Sequence, residues 1–355
     1  MNNKTRDKKI KVLMVGPDRS VHGGISGVVN NLYDAGLDKR VDLTYIRTMK
    51  EGSKISKLFI AGIAYLKYCT RLMSCDLVHI HVASDSSFLR KSLFINKAYR
   101  SGKKIVIHQH GGEWEKYYDS LSANKQKKVR EVFSKGNRFL VLSPYYKELF
   151  ERIADIKGIT VFPDTIKIDP PTEREYGLNK VLFLGRLCKA KGVSELIDAG
   201  AELKSVYPDL EITLAGIWED NNLKEKALQH SDLIKLVGWV DKEAKQTLIR
   251  EHDIFVLPSY FEGQSVAILE AMAGGMCVVA SNVGGIPMMI KDNETGILVE
   301  PQNAKALKEG LIKALSDAEL EEKLAKNARC LVEETFNISA TVDDLEKIYW
   351  SLIDG

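Results

Sequence analysis

Short apolar runs alternate with longer amphipathic stretches along nearly all of this chain, and that alternation limits its fold more than any other feature. The runs KVLMVG (11–16), VDLTYIRT (41–48), LVHIHV (77–82), KIVIHQH (104–110) and FLVLS (139–143) are separated by helical patterns at Ile25–Ala35, Lys54–Ser74, Phe88–Ser101 and Asn124–Lys135. A second series begins with KVLFLGR (180–186) and continues through EITLAG (211–216), IKLVGW (234–239), DIFVLPS (253–259), CVVAS (277–281) and GILVE (296–300). Apolar strands joined by helices are the pattern of parallel sheets covered on both faces, because a parallel crossover needs a long connection. Turn formers around Pro163–Pro171 divide the two series, which predicts a first domain at 1–165 and a second at 175–338. A single core would have to serve 355 residues, beyond the ~250–300 at which cores stop growing. The expected fold class is therefore α/β, with two doubly wound Rossmann-like domains. Val342, Leu345, Tyr349, Leu352 and Ile353 share one helical face, so 339–355 predicts a final helix able to pack back on the first domain.

The net charge of +3 conceals an asymmetry: residues 1–150 hold 28 Lys/Arg against 13 Asp/Glu, and the remainder hold 23 against 35. A basic first half suits nucleic acid, an anionic bilayer or a phosphate-bearing acceptor, unless its lysines are simply scattered and solvated. Cys69, Cys75, Cys188, Cys277 and Cys330 form no C-x-x-C pair and no zinc spacing. They are expected as reduced, mostly buried thiols. The stretch IKVLMVG is too short for an export signal. LFIAGIAYL (58–66) is too short for a membrane span. A cytoplasmic protein, at most peripheral on the inner membrane face, is the expectation. In the segment 54–73, Lys54, Lys57, Lys67 and Arg71 flank an apolar centre. Apolar residues on nearly every face favour a buried crossover helix over one lying in a bilayer interface.

Three segments carry residue types suited to a phosphorylated ligand. Gly23-Gly24 opens a helix after the first strand, where free N–H groups and the helix dipole suit a phosphate, although turn glycines alone would also explain the pair. Dinucleotide spacing and a Walker A loop are both absent, so no cofactor is expected. In KVLFLGRLCKAKGVSELIDA (180–199), Arg186 follows a strand and Lys191 precedes Gly192 and a helix, giving either a diphosphate clamp or a solvated turn. In SYFEGQSVAILEAMAGGMCVVASNVGG (259–285), Glu262 lies in a loop before Gly263, whose exposed amides suit close approach by a ligand. Glu270 is the one charged residue of the helix VAILEAMA. It needs a polar partner such as the diol of a ribose, unless it is solvated while Glu262 caps the helix.

Together these segments resemble the retaining glycosyltransferases of family 4, which have the GT-B fold. The segment 259–285 is similar to the family's E-x7-E signature. The Gly23-Gly24 turn, the strand ending in His110-Gly111, GR-x4-KG (185–192), LVGWV (236–240) before DIFVLPSYFEG (253–263), and VVASNVGGIPMMIKDNETGILVEPQN (278–303) follow in the family's order. The resemblance implies an acceptor-binding first domain and a donor-binding second domain facing each other across a cleft. By it, Arg186 and Lys191 hold the donor's diphosphate and neutralise it as it leaves, and Glu270 holds the nucleotide ribose. Glu262, with the amides of Gly263, Gln264 and Ser265, reads the hydroxyls of the donor sugar, and Trp239 and Val240 contact the base. His110 stands near the anomeric centre, and Gly23 and Gly24 let the acceptor side approach the diphosphate. Gln264-Ser265, Phe162-Pro163-Asp164-Thr165 and Ile217-Trp218 depart from the family's usual residues.

The implied enzyme is a retaining hexosyltransferase that moves a sugar from a nucleotide-diphosphate donor, UDP-linked by resemblance, to a glycan acceptor. A polyprenyl-diphosphate-linked oligosaccharide of surface polysaccharide (capsule or exopolysaccharide) synthesis would suit the basic half, with an anionic membrane surface rather than nucleic acid as partner. The alternatives are a GDP-mannose-type mannosyltransferase, a sugar-nucleotide 2-epimerase, and a non-catalytic nucleotide-binding, membrane-docking protein. No Asp-x-Asp motif is present, so metal independence is expected. Arg90 and Lys91 are expected to hold an acceptor phosphate, and Glu113, Trp114 and Tyr117 to form a sugar platform, unless the aromatic pair is ordinary packing. His79, His81 and His108 are given no role.

Overall fold

A computed structural model describes residues 8–354 apart from 22, 51, 53, 155 and 157, with side chains in the first long helix described from Phe59 onward. The chain divides into two compact units, Met1–Lys167 with Asn337–Gly355, and Ile168–Phe336. The first unit runs β1 (Lys11–Gly16), α1 (Gly24–Asp34), α2 (Leu37–Arg40), β2 (Asp42–Arg47), α3 (Lys54–Leu72), β3 (Leu77–Val82), α4 (Asp85–Arg100) and β4 (Lys104–Gln109). It continues through α5 (Trp114–Asp119), α6 (Ala123–Phe133), β5 (Arg138–Val141), α7 (Pro144–Ala154) and β6 (Ile159–Val161). The second unit runs β7 (Lys180–Leu184), α8 (Val193–Lys204), β8 (Glu211–Ala215), α9 (Asn221–Leu228), β9 (Ile234–Gly238), α10 (Lys242–Glu251) and β10 (Ile254–Leu257). It ends with α11 (Val266–Ala273), β11 (Cys277–Ser281), α12 (Ile286–Met289), β12 (Ile297–Val299), α13 (Ala304–Leu315) and α14 (Ala318–Thr335). The last helix, α15 (Ile338–Ile353), belongs to the first unit.

Both sheets are parallel and six-stranded, in the orders β2-β1-β3-β4-β5-β6 and β12-β11-β10-β7-β8-β9. The apolar runs become strands because both sheet faces are covered; every residue of β3 and of β11 is buried. Strand order reverses beside β1, between β2 and β3, and again beside β7, between β8 and β10. Open parallel sheets bind ligands outside the carboxyl ends of their strands at such reversals. Each unit therefore offers one such place.

α15 joins the first unit through a backbone bond from the Ile338 N–H to the Ile166 carbonyl at 2.9 Å and an ion pair of Arg40 with Glu346 at 3.1 Å. It buries Val342, Leu345, Tyr349 and Leu352, but Ile353, at the frayed end, is exposed. α3 departs from the expectation of a buried crossover. It buries Ala64, Tyr68 and Leu72 and leaves Phe59, Ile63 and Leu66 in solvent, because only one face of a helix can meet the sheet. The cysteines are all free, yet only Cys75 and Cys277 are buried; Cys330 lies on the exposed side of α14. Trp114 is not a sugar platform. It is fully buried, with Phe88, Phe133 and Phe150 edge-on or tilted against it at 5.2–5.7 Å, so aromatic packing in the core has claimed the ring.

Candidate active site

At the reversal of the second sheet, β7 leads through Gly185 to Arg186, and a single 3-10 turn at Lys189–Lys191 precedes Gly192 and α8. Gly192 has φ 69°, and a Cβ there would lie 2.0 Å from the Pro258 carbonyl oxygen. Only glycine lets this turn rest against the segment after β10. The Tyr260 N–H donates to the Ala190 carbonyl at 2.9 Å and fastens the two segments together. Lys191 consequently meets Glu262. Its ammonium donates to Glu262 Oε1, which also accepts from the Ser259 hydroxyl at 2.7 Å. The two charged side chains are 20% and 10% exposed, so the pair is largely withdrawn from water. Behind it the Gly285 N–H donates to the Glu262 carbonyl at 3.0 Å. Gly284, at φ 54°, packs so closely that a Cβ would lie 2.0 Å from that same oxygen. Glu262 is thus fixed by backbone and side chain together.

Arg186 is more loosely held. Its guanidinium donates to both carboxylate oxygens of Glu219 at 3.1–3.2 Å, with the side chains 62% and 44% exposed. An exposed pair of this kind is worth ~0–1 kcal/mol, so the arginine can exchange it for a stronger anion. Glu270 finds its polar partner within the chain, accepting from the Lys245 ammonium of α10. Trp239 stands exposed after Gly238, and Val240 is half-buried beside it. Gly263, Gln264 and Ser265 are all buried, whereas the sequence suggested exposed amides at Gly263. The Ser265 hydroxyl caps α11 by accepting from the Ile268 N–H at 3.4 Å, and Gly284-Gly285 closes over the loop.

At the reversal of the first sheet lies a cavity of about 330 Å3, lined by Gly23, Gly24, Thr48, His81, Arg90 and Lys91 among others. His110 follows β4 and is buried behind His81, with His81 Nδ1 and His110 Nε2 2.7 Å apart. His79, His81, His108 and His110 share one sheet face as i, i+2 positions of neighbouring strands, with the His79 and His81 rings stacked at 4.5 Å and the other neighbouring rings tilted at 4.1–5.3 Å. Burial pushes all four imidazoles down, His110 to about 3, so they are neutral at neutral pH. Burial equally pushes the Asp164 carboxyl up to about 8. Its Oδ1 lies 3.6 Å from His110 Nδ1, a contact between neutral groups rather than an ion pair. Donor atoms of His79, His81 and His108, and of His108, His110 and Asp164, cluster within 4.8 Å. The His79 Nδ1 contact with the Tyr349 hydroxyl, the His79–His108 contact at 3.3 Å and the His81–His110 contact use most of those nitrogens. His81 Nε2, His108 Nε2 and His110 Nδ1 are buried without a hydrogen-bond partner, so the stack holds open ring nitrogens beside its paired ones.

Residues 164–330 match the family model for glycosyl transferases group 1. That match covers nearly all of the second unit. The chain is 33% identical over 180 residues to the alpha-D-kanosaminyltransferase of Streptomyces kanamyceticus, over 49% of this chain and 47% of that one. It thus spans about half the length of this relative. Across nearly the whole chain, the sucrose-phosphate synthase of Thermosynechococcus elongatus has the same fold, with TM-score 0.81 at 19% identity over 98% of this chain and 100% of that one. Anabaena HepE, solved with UDP and glucose, superposes with TM-score 0.76 at 16% identity over 97% of this chain and 100% of that one. These likenesses show the fold class, GT-B. Sequence reasoning did not find Ser259, Glu219, Lys245 or Thr48, each of which holds a named site residue. None carries a local signal; each becomes visible only when separate strands and helices meet.

Proposed function

We propose that this protein is a retaining hexosyltransferase that takes its sugar from a nucleotide-diphosphate donor and delivers it to a lipid-diphosphate-linked glycan of surface polysaccharide synthesis. What carries the reading is the Lys191–Glu262–Ser259 cluster, fixed beside the exposed Arg186 at the reversal of the unit that matches the group 1 model. Arg186 and Lys191 bind the diphosphate; Glu262 reads the sugar hydroxyls; Glu270, held by Lys245, takes the ribose, and Trp239 with Val240 the base. UDP is favoured because HepE, of the same fold, was solved with UDP and glucose.

In the reaction the bond from the anomeric carbon to the phosphate oxygen breaks, and its electron pair leaves with the diphosphate. The acceptor hydroxyl attacks from that same face, its proton passes to a diphosphate oxygen, and the configuration is retained. Charge grows on the leaving diphosphate, and fixed cations acting there supply a large part of the barrier lowering. The absence of an Asp-x-Asp motif supports metal independence, with the two cations in the metal's place. His110, neutral and buried, positions the anomeric centre rather than exchanging charge.

The exposed Phe59, Ile63 and Leu66 beside Lys67 and Arg71 on α3, with Leu89 and Leu93 on α4, support peripheral binding to an anionic bilayer. No helix among the described residues is long and apolar enough to cross one. Transfer from a panel of UDP- and GDP-sugars, GDP-mannose included, to a short prenyl-diphosphate-linked sugar tests the reading, with product configuration read by NMR. Hydrolysis or epimerisation without transfer, inversion, or inactivity with every donor would each refute it.

A further inference from the structure

We propose that the cavity at the reversal of the first sheet is a phosphate-binding subsite, in which Lys91, Arg90 and the amino ends of α1 and α4 hold a phosphoryl group of the acceptor. The glycosyltransferase reading enters only in naming the acceptor as the source; the affinity for an anion comes from the cavity itself.

Two helices begin at this cavity. Gly24, Ile25 and Ser26 of α1 line it, as do Ser86 and Ser87 of α4. The carbonyls of the N-cap residues Gly23 and Ser84 accept from the Gly27 and Ser87 N–H groups, but neither residue caps its helix with a side chain, and the first turn of α1 holds no acidic residue. First-turn N–H groups have no intrahelical acceptor, and both dipoles place partial positive charge there. Asp85, in the first turn of α4, accepts from the Ser84 hydroxyl at 2.6 Å and is not part of the lining.

The side chains strengthen the field. Lys91 is 1% exposed, and its ammonium donates to the Thr48 hydroxyl at 2.6 Å; the hydroxyl donates in turn to the Gly16 carbonyl at 2.9 Å. Among the described residues no carboxylate pairs with it. Burial, with Arg90 beside it, pushes the Lys91 amine well below its ordinary value, and an anion in the cavity offsets the cost of holding charge there. Its neighbour Arg90 has a buried Nε with no partner. His81 is fully buried, lines the cavity and spends Nδ1 on His110, while its Nε2 has no partner. Two basic side chains of α4, two helix ends and an open ring nitrogen of β3 meet here and suit a tetrahedral anion better than a planar carboxylate. The volume of about 330 Å3 falls within the ~300–1,000 Å3 usual for small-ligand sites.

The test uses the full-length protein saturated with UDP, which occupies the donor cations, and calorimetric titration with inorganic phosphate and with farnesyl diphosphate. Both should bind. Lys91→Met should weaken both by about tenfold or more, and Arg90→Gln by about threefold to tenfold, the loss of one charge-assisted bond each. Lys305→Ala, on the exposed surface of α13, should leave phosphate affinity unchanged. Thermal melting checks folding; if Lys91→Met does not fold, the half-exposed Arg90 carries the test. Unchanged phosphate affinity in the folded variants, or no binding to the native chain, overturns the subsite. Loss of UDP affinity in Lys91→Met with farnesyl diphosphate binding intact assigns the anion to the donor and overturns the acceptor assignment. If UDP fails to bind the native chain while phosphate still binds through Lys91, the donor reading falls and the subsite stands.

Discussion

The reversals of the two sheets treat charge in opposite ways. In the second unit every cation of the site has a carboxylate: Lys191 has Glu262, Lys245 has Glu270 and Arg186 has Glu219. In the first unit Lys91 meets the Thr48 hydroxyl and, among the described residues, no carboxylate, while burial pushes its amine down and holds the nearby histidines neutral. Paired cations are preset in position and cost little to keep without a ligand. A buried basic group whose charge burial disfavours is poised for an anion that must come from outside. The same strand-reversal geometry thus yields one site ordered in advance and another completed by its ligand.

Breaking the paired site should have the largest effect. Lys191→Ala or Glu262→Ala should lower kcat/KM for sugar transfer by about 10^2–10^3-fold with circular dichroism unchanged, the scale set by losing a fixed group at the developing charge. Activity within about twofold of the native chain would show that the pair is only structural. Lys245→Ala, which strips Glu270 of its partner, should raise the donor KM by about fivefold and leave kcat alone, since ribose binding is the same in ground and transition states. A fall in kcat with KM unchanged would contradict that role for Glu270.

The neutral cluster is tested through pH. The Asp164 carboxyl, raised to about 8, binds a proton in the folded chain that it loses in the unfolded chain above about 4, so its contribution to stability is lost as pH rises towards 8. His110, lowered to about 3, acts in the opposite sense, and its contribution falls away only below its ordinary value of 6.5. Between pH 6.5 and 8 Asp164 therefore acts alone of the two. Melting temperature should decline there, and Asp164→Asn should flatten the decline; an identical slope in the variant would show a charged carboxylate at pH 7. The smallest effect is expected at the surface. Glu219→Ala should change turnover by less than about twofold, because an exposed pair contributes so little. A larger loss would mean that Glu219 sets the position of Arg186.

The strands were readable because runs such as CVVAS keep apolar residues on both faces, as a doubly covered parallel sheet demands, whereas LVHIHV carries Val-Ile-Val on one face and Leu77 with two histidines on the other. β6 was not, since three residues ahead of Phe162-Pro163 carry too little pattern. Arg186, Lys191, Glu262 and Glu270 could be picked out because glycines and turns bracket them. What they touch could not, because Lys245 and Ser259 reach them across the fold. Trp114 shows the limit most plainly. An aromatic after a His-Gly strand end reads equally as a platform or as core, and only the rings of Phe88, Phe133 and Phe150 decide it.

The central claim is that fixed positive charge at the edge of the second sheet holds the nucleotide's diphosphate. Calorimetric binding of UDP to the native chain and to the Arg186→Ala/Lys191→Ala double variant tests it most directly. The account predicts a loss of about 100-fold or more in the double variant, two charge-assisted contacts removed together. Equal affinity in the two proteins would contradict it.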